Sequence, residues 1–292
     1  MTVRTLARHL GHLADSFAIV NVATAASRLR DPEPLAGDLL VLTFDDGYAD
    51  NAEVAWPVFE DQGATATFFL TTGFLDGEPL WFEVAGRALR ALARPGVGAV
   101  ASLEEALRRS LPAWGPDRSV FETVNRMKYL APRQRERLVS LMSDLARSEG
   151  APARPMSWEQ ARAIREAGGE IGAHTISHPI LSKLERKEQE REIVGSRERI
   201  AAELGREPAS FAYPNGSRRD FDATTRDIVA RAGFEAACTT VRGSNDRASD
   251  RLCLNRLGVG EDSLAALDAR LAGLFDERRR RAFSALARPR FG

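Results

Sequence analysis

The order of apolar and polar positions along the chain predicts alternating strands and helices. Residues 39–44 form a short apolar run that is typical of a buried strand, and the run ends at an Asp-Asp-Gly turn. A helical pattern follows over 50–62, and 65–70, rich in β-branched and aromatic residues, predicts the next strand. A strand, a helix and a strand at this spacing indicate a βαβ unit and therefore a parallel sheet.

The region of about 76–156 shows helical patterns only and interrupts this alternation. The predicted helices lie at 82–93, 103–111, 119–130 and 133–149. Such a region is expected to be an insertion in one loop of the sheet, where loops carry function. The aromatic pair Trp81 and Phe82 opens the insertion, and we interpret it as core, with stacking on a ring of a bound molecule as the alternative.

The alternation of strands and helices resumes after the insertion. Strands are predicted at 170–173, 210–213 and 234–239, with a further strand at 252–257, and helices at 157–167, 184–204, 221–232 and 262–275. We find no internal repeat. The pattern therefore predicts one barrel-like α/β domain over 1–292, with a helical insertion and a basic C-terminal helix or tail at about 262–292.

Charge and cysteine usage narrow the class of protein. The chain carries 41 basic and 41 acidic side chains, and this neutral balance argues against a dedicated nucleic-acid binder. Cys238 and Cys253 lack Cys-x-x-Cys spacing and are expected to be reduced thiols. No apolar stretch is long enough to cross a bilayer, and the amphipathic first residues do not resemble a signal peptide, so we expect a cytoplasmic protein.

The C-terminal end is rich in arginine. The run 278–281 is followed by Arg288 and Arg290. We expect a solvated helix terminus there. Peripheral contact with an anionic membrane surface is the less favoured alternative.

Three polar clusters lie where predicted strands end. They are Asp45-Asp46-Gly47, the segment from His174 to His178, and Tyr213-Pro214-Asn215-Gly216. The carboxyl ends of parallel strands open on one face, so clusters distant in sequence are expected to meet there.

The histidine pair and the aspartate pair together indicate a metal site. The chain has four histidines, and His174 and His178 lie four residues apart; Pro179 disfavours a helical His178, so we expect a turn that brings both rings to one side. Two histidines and one carboxylate leave coordination positions open, as catalytic zinc requires. Successive side chains on a strand face opposite ways, so Asp45 and Asp46 are expected to differ in role, one as ligand and one as base.

Without a cation, the two neighbouring buried carboxylates would repel each other. The simpler interpretation of an isolated Asp-Asp-Gly segment is a turn with a helix cap. The nearby histidine pair favours the metal site over that interpretation.

Three segments resemble the first three motifs of the polysaccharide deacetylase family, the NodB-homology domain of carbohydrate esterase family four. These segments are TFDDGYADN, IGAHTISHP and FAYPNG, and the resemblance runs from about 39 to 260. It implies a distorted (β/α) barrel that hydrolyses an N-acetyl group of an amino sugar in a polysaccharide, an oligosaccharide or a carrier-linked precursor. It also implies a divalent metal ion, most simply zinc, held by Asp46, His174 and His178, with Asp45 as the general base.

The third motif of the family lines the substrate groove. Carried over to this sequence, it implies substrate contacts for Tyr213, Pro214 and Gly216, with the backbone N–H of Tyr213 stabilising an oxyanion. The family often has an arginine at the position of Ala212 and commonly supplies a histidine acid in the region that here ends at Arg256.

The sequence departs from the family at both of these positions. Arginine cannot act as that acid, because its pKa exceeds about 12. Two hypotheses follow: Asp45 returns its proton to the leaving amine, and Arg256 holds Asp45 in place of the missing arginine. A structural or surface charge is the alternative for Arg256.

Two other functions stay open at this point. One is the same metal-dependent hydrolysis of an amide that is not a sugar. The other is a barrel that binds carbohydrate without turnover, which the missing histidine acid makes a reasonable hypothesis.

Overall fold

Seven short strands form two parallel sheets at the centre of the molecule. The computed structural model describes residues 1–33, 37–94, 101–115 and 119–273. The smaller sheet pairs β1 (Ala18–Val20) with β2 (Leu39–Val41). The larger sheet has the order β3 (Thr43–Phe44), β4 (Thr67–Leu70), β5 (Glu170–Ala173), β6 (Ser210–Ala212) and β7 (Ala236–Cys238), with every pair parallel. All five carboxyl ends therefore open at one edge.

Helices connect the strands. In chain order they are α1 (Val3–Ala14), α2 (Val22–Arg30), α3 (Trp56–Asp61), α4 (Thr72–Leu75), α5 (Trp81–Leu92), α6 (Ala101–Ser110), α7 (Val120–Met127), α8 (Pro132–Arg147), α9 (Trp158–Glu166), α10 (Arg186–Leu204), α11 (Ala223–Arg231) and α12 (Leu264–Leu271). A π-helix, Asn51–Ala55, leads into α3, and short 3₁₀ turns lie at Leu181–Lys183 and Arg251–Cys253. Within the described part of the chain, no helix combines the length and the apolar character that a membrane span needs.

The core lies between the larger sheet and its helices. Aromatic side chains of the strands, Phe68, Phe211 and Tyr213, are fully buried there and pack in one cluster with Phe59 of α3. Helix ends follow the local sequence: Ser157 begins α9 with a capping box, and Gly205, at a φ of 70°, ends α10 in the left-handed conformation that glycine adopts without steric cost.

The insertion has an apolar core of its own. Its four helices, α5 to α8, are present close to the predicted bounds. Trp81, Leu103, Met127 and Leu138 are among the buried residues of this second cluster. The far end of the insertion returns to the sheet, because Pro155 forms a single antiparallel bridge with Tyr48, directly after the Asp-Asp-Gly turn.

Several predicted elements differ from the structure. The predicted strand 39–44 is two strands, because the chain changes sheets at Leu42, whose carbonyl accepts from the Thr67 amide at 2.9 Å. The prediction of a strand at 252–257 is wrong. The Asp250 carboxylate accepts from the Leu252 amide at 3.0 Å and starts a 3₁₀ turn. Leu254 then makes a single bridge to Cys238.

Two further differences lie at the ends of the chain. The sequence interpretation missed β1 and α2. The helix predicted at 262–275 is α12, which ends at Leu271, and the arginine-rich end lies outside the described residues.

Candidate active site

Asp45 and Asp46 follow β3 directly and face different partners. Asp46 has a φ of 74°, a conformation that is strained for any residue except glycine. Asp45 contacts Arg256, whereas Asp46 faces His174 and His178. The two neighbouring carboxylates therefore occupy distinct positions, as the sequence predicted.

The segment from His174 to His178 leaves β5 as a turn and not as a helix. Thr175 and His178 both have left-handed backbones, with φ of 68° and 55°. The Thr175 hydroxyl donates to the His174 carbonyl and accepts from the His178 amide at 3.1 Å. The rings of the two histidines end 4.9 Å apart, on one side of the turn.

Neighbouring helices hold this turn in place. The buried carboxylate of Glu192 accepts from the amides of Ile176 and Ser177, each at 2.9 Å, and from the Ser177 hydroxyl at 2.7 Å. The first helical amides of α4 donate to the other side, with Gly73 N 2.9 Å from the Ile176 carbonyl. A Cβ at Gly73 would lie 2.7 Å from that oxygen, so this position requires glycine.

Asp46, His174 and His178 have the geometry of a metal-binding triad. Oδ1 of Asp46 lies 3.6 Å from Nε2 of His174 and 3.3 Å from Nε2 of His178, and one ligand atom from each residue lies within 4.8 Å of the others. Oδ1 of Asp46 is buried and has no hydrogen-bond partner in the described part of the protein. Such an oxygen, aimed at two imidazole nitrogens, fits a divalent cation.

The hydrogen bond of His174 prepares this histidine for ligation. Its Nδ1 lies 2.7 Å from the carbonyl oxygen of Ala212 and therefore carries the proton, since a carbonyl can only accept. Nε2 then presents a lone pair toward Asp46, as in metal-binding histidines whose other nitrogen is held by a carbonyl.

The electrostatics of the triad also favour a bound cation. Burial, together with the charges of Asp45 and Glu83, raises the pKa of Asp46 to about 6. Burial lowers the pKa of His178 to about 4 and lowers that of His174 as well. The histidines are therefore neutral, as ligands must be, and a cation would relieve the cost of ionising Asp46.

Arg256 clamps Asp45 with both nitrogens of its guanidinium fork. Nη1 lies 2.7 Å from Oδ1 and Nη2 lies 2.8 Å from Oδ2, while Nε donates to the Thr239 carbonyl at 2.7 Å and Nη1 also donates to Thr43. Burial alone would raise the pKa of Asp45, but the charge of Arg256, helped by the histidines, lowers it to about 2. The contact that the sequence hypothesis required is present.

The expected role of the Tyr213 N–H is wrong. This N–H donates to the Cys238 carbonyl at 3.0 Å, which extends the β6–β7 pairing, and is not free for an oxyanion. The Tyr213 hydroxyl donates to the Leu252 carbonyl at 2.8 Å, and the fully buried ring stacks on Phe221 at 4.1 Å. Tyr213 thus has a structural role in the packing next to the site.

Pro214 and Gly216 form a tight turn around Asn215, a residue for which the sequence motif implied no role. The Gly216 amide donates to the Pro214 carbonyl at 2.7 Å, and a Cβ on Gly216 would lie 2.7 Å from the Thr240 amide nitrogen. Between them, Asn215 has a φ of 59° and a buried Nδ2 without a partner among the described residues. Only the positive φ and the unpaired amide mark Asn215, and neither is visible in a sequence.

The first turn of the insertion touches the triad. Nε1 of Trp81 donates to the His178 carbonyl at 3.0 Å, and the Phe82 ring packs 5.0 Å from the His178 ring. Trp81 belongs to the insertion core, so the core interpretation is confirmed. The contact with His178 was not anticipated.

No histidine remains to donate a proton at this site. His9 and His12 lie on α1, where they bond to the Asp262 carbonyl at 2.8 Å and the Asp268 carboxylate at 2.7 Å. With His174 and His178, they account for all four histidines of the chain.

The parallel sheet and the site at its carboxyl edge agree with the family that the sequence motifs indicated. The family model described as polysaccharide deacetylase matches residues 33–237, which is more than half of the sequence, and the chain belongs to this family. No curated protein matches the chain significantly.

Solved structures with the same fold share little sequence identity with this chain. IcaB from Ammonifex degensii is 19% identical with a TM-score of 0.60, and the alignment covers 92% of this chain and 89% of the IcaB chain. Deacetylase PplD from Streptococcus pyogenes, in complex with acetate, is 18% identical with a TM-score of 0.59, and covers 89% and 82%. A de-N-acetylase from Aggregatibacter actinomycetemcomitans is 15% identical with a TM-score of 0.55, and covers 90% and 86%. The fold is thus the distorted (β/α) barrel that the family resemblance implied.

Proposed function

We propose that this protein is a metal-dependent hydrolase that removes an N-acetyl group from an amino sugar, in a polysaccharide, an oligosaccharide or a carrier-linked precursor. One observation carries the proposal. Asp46, His174 and His178 converge on one point, and Asp45 lies beside them in an ion pair with Arg256. Membership of the family supports deacetylation of a sugar, and a named relative of the same fold is a de-N-acetylase.

Asp46, His174 and His178 would hold the metal ion. Neutral imidazole nitrogens and a carboxylate oxygen are the ligands that zinc prefers in catalytic sites, so we propose zinc. The bound ion supplies Lewis acidity, which polarises the acetyl carbonyl and acidifies a water molecule. The remaining steps fall to side chains and amides of the chain.

Asp45 acts as the base in this proposal. The Arg256 clamp keeps its carboxylate ionised and fixes both oxygens, so one of them is oriented to take a proton from the attacking water. Because no histidine is left as an acid, the protonated Asp45 then delivers that proton to the leaving nitrogen.

Acetate release measures this function directly. The zinc-loaded protein is expected to release acetate from N-acetylglucosamine oligomers, and removal of zinc by a chelator should abolish release until zinc is restored. Asp45→Asn should lower the rate by about 100-fold or more, within the range for loss of general acid–base catalysis. Asp50→Asn is the matched control, because Asp50 is exposed on the same loop.

The zinc-loaded protein contradicts the proposal if it binds these oligomers tightly but releases no acetate from them or from a broad panel of acetylated sugars. That result would favour a carbohydrate-binding barrel. Release that survives complete zinc removal would contradict the metal requirement.

A further inference from the structure

The helical insertion places the carboxylate of Glu83 near the triad. Glu83 is in the first turn of α5 and is half-buried. Its Oε1 accepts a hydrogen bond of 2.9 Å from the hydroxyl of Tyr48, which lies two residues after Asp46. The loop after β3 and the insertion thus meet at this hydrogen bond.

Two contacts place Glu83 close to the metal ligands. The preceding residue, Phe82, packs its ring 5.0 Å from the ring of His178. The negative charge of Glu83 also contributes to the raised pKa of Asp46, which shows that the two carboxylates are within electrostatic reach of each other. Glu83 nevertheless lies outside the set of residues whose ligand atoms could share one ion.

Glu83 lacks the partners that a structural carboxylate normally has. Within the described ranges, no basic side chain forms an ion pair with Glu83, and the bond from Tyr48 is the only hydrogen bond of its carboxylate. Its second oxygen, Oε2, is therefore an available acceptor. A carboxylate held near Asp46 without a cation is unfavourable by itself, because like charges repel. A ligand that brings an N–H donor or a positive charge would relieve this cost.

The reaction of the proposed function supplies such a group. When the C–N bond of the tetrahedral species breaks, its electron pair passes to nitrogen, and this nitrogen takes the proton that Asp45 removed from water. The acetic acid formed in this step then gives its remaining hydroxyl proton to the amine, so acetate and an ammonium group are the products. The amide N–H donates a hydrogen bond at the start, and the amine gains positive charge at the end, whereas the oxygen of an acetate ester can do neither.

We propose that Glu83 accepts a hydrogen bond from the N–H of the scissile acetamido group and thereby selects N-acetyl over O-acetyl substrates. The inference rests on the proposed deacetylase function and deepens it by naming the substrate class. The Tyr48 hydroxyl donates to the other oxygen of the Glu83 carboxylate. An ester oxygen at the same place meets the carboxylate with its lone pairs and is disfavoured.

Two matched substrates test this role. Methyl N-acetylglucosaminide and methyl 2-O-acetylglucoside present the same sugar with an amide or an ester. Glu83→Gln keeps the shape of the side chain but removes its charge and places an N–H₂ group beside the substrate N–H. Loss of a hydrogen bond to a charged group predicts a fall of about 10- to 100-fold in kcat/KM for the amide. The kcat/KM for the ester should stay the same or rise, because the repulsion between the carboxylate and the ester oxygen is removed.

Two further variants complete the experiment. Tyr48→Phe should shift the amide-to-ester ratio in the same direction by a smaller factor, because Glu83 loses its fixed orientation. Glu78→Gln is the control, since Glu78 is an exposed carboxylate shortly before α5, and it should leave both rates unchanged. Thermal unfolding of each variant establishes that the protein is folded.

Each other result overturns the inference. If Glu83→Gln lowers both rates equally, its role is structural, and if it lowers neither, Glu83 does not contact the substrate. A wild-type protein that hydrolyses only the ester would also contradict selection by Glu83. A zinc-loaded wild type that hydrolyses neither substrate nor longer N-acetylglucosamine oligomers refutes the proposed function itself, and this result is distinct from the first three.

Discussion

Replacement of Arg256 by methionine removes the guanidinium that holds Asp45 while keeping a side chain of similar length. The two hydrogen bonds of this pair, at 2.7 and 2.8 Å, fix both oxygens of the base. Loss of one partner from a fully buried pair costs about 3–5 kcal/mol. The side chains of Arg256 and Asp45 are 15% and 30% exposed, so we expect a smaller cost of about 2–3 kcal/mol.

This cost is expected to fall mainly on catalysis. A loss of about 2–3 kcal/mol in the positioning of the base corresponds to a decrease in kcat of about 30- to 150-fold. Arg256→Lys should lie between wild type and methionine, because lysine restores the charge but not the two-pronged geometry. Arg251→Met is the control, since the Arg251 guanidinium donates to the Glu235 carbonyl and not to Asp45.

The pH dependence gives an independent measure of the same contact. In the wild type, the pKa of Asp45 is lowered to about 2, so the base is ionised at every pH where the protein is assayed. Burial raises the pKa of Asp45, and the charge of Arg256 is the largest effect that lowers it. Without Arg256, the pKa of Asp45 therefore rises. Activity that needs the ionised base is then lost at a higher pH as the solution is acidified, so the acidic limb of the kcat profile moves upward.

The assay is acetate release by zinc-loaded protein between pH 5 and 9, with thermal unfolding to verify the fold. The reasoning is refuted if Arg256→Met keeps kcat within threefold of wild type, or if kcat falls while the acidic limb stays in place. An equal fall in Arg251→Met would show that loss of any nearby arginine, and not release of Asp45, is responsible.

Two further predictions concern the metal. Zinc affinity, measured by chelator competition, should decrease as the pH falls below about 6, because the pKa of Asp46 is raised to about 6 and this ligand becomes protonated below it; equal affinity at pH 5 and pH 7 would contradict this. Glu192→Ala should weaken zinc binding by about 10- to 100-fold, because the histidine turn loses the carboxylate that binds its amides. Glu190→Ala, on the same helix but in a surface ion pair, should bind zinc like the wild type.

The apolar pattern was sufficient to locate the strand ends, and therefore the clusters of the site. Short buried runs such as 65–70 and 170–173 stand out against their polar neighbours, and β5 has the predicted bounds. The strand β1 has only three residues, directly after an amphipathic helix, and shows no alternation long enough to detect. The π-helix Asn51–Ala55 was taken as part of one α-helix, because both have nearly the same period.

The details of the site depend on contacts that no pattern encodes. Arg256 and Asp45 are 211 residues apart, and their pairing was a hypothesis that only the fold could test. The role expected for the Tyr213 amide failed because that amide belongs to the β6–β7 ladder. Asp46, Thr175, His178 and Asn215 share a left-handed backbone, which is uncommon for residues other than glycine and which no sequence pattern encodes.

The bond from Trp81 to the His178 carbonyl joins the helical insertion to the candidate active site. A shortened protein that joins α4 directly to α9 would keep the sheet and all three metal ligands, but it would lose the indole that anchors one of them. Protein engineers who graft loops between members of this fold should therefore transfer the first turn of α5 together with the histidine turn. Swapping either one alone would remove the hydrogen bond from the indole to the His178 carbonyl.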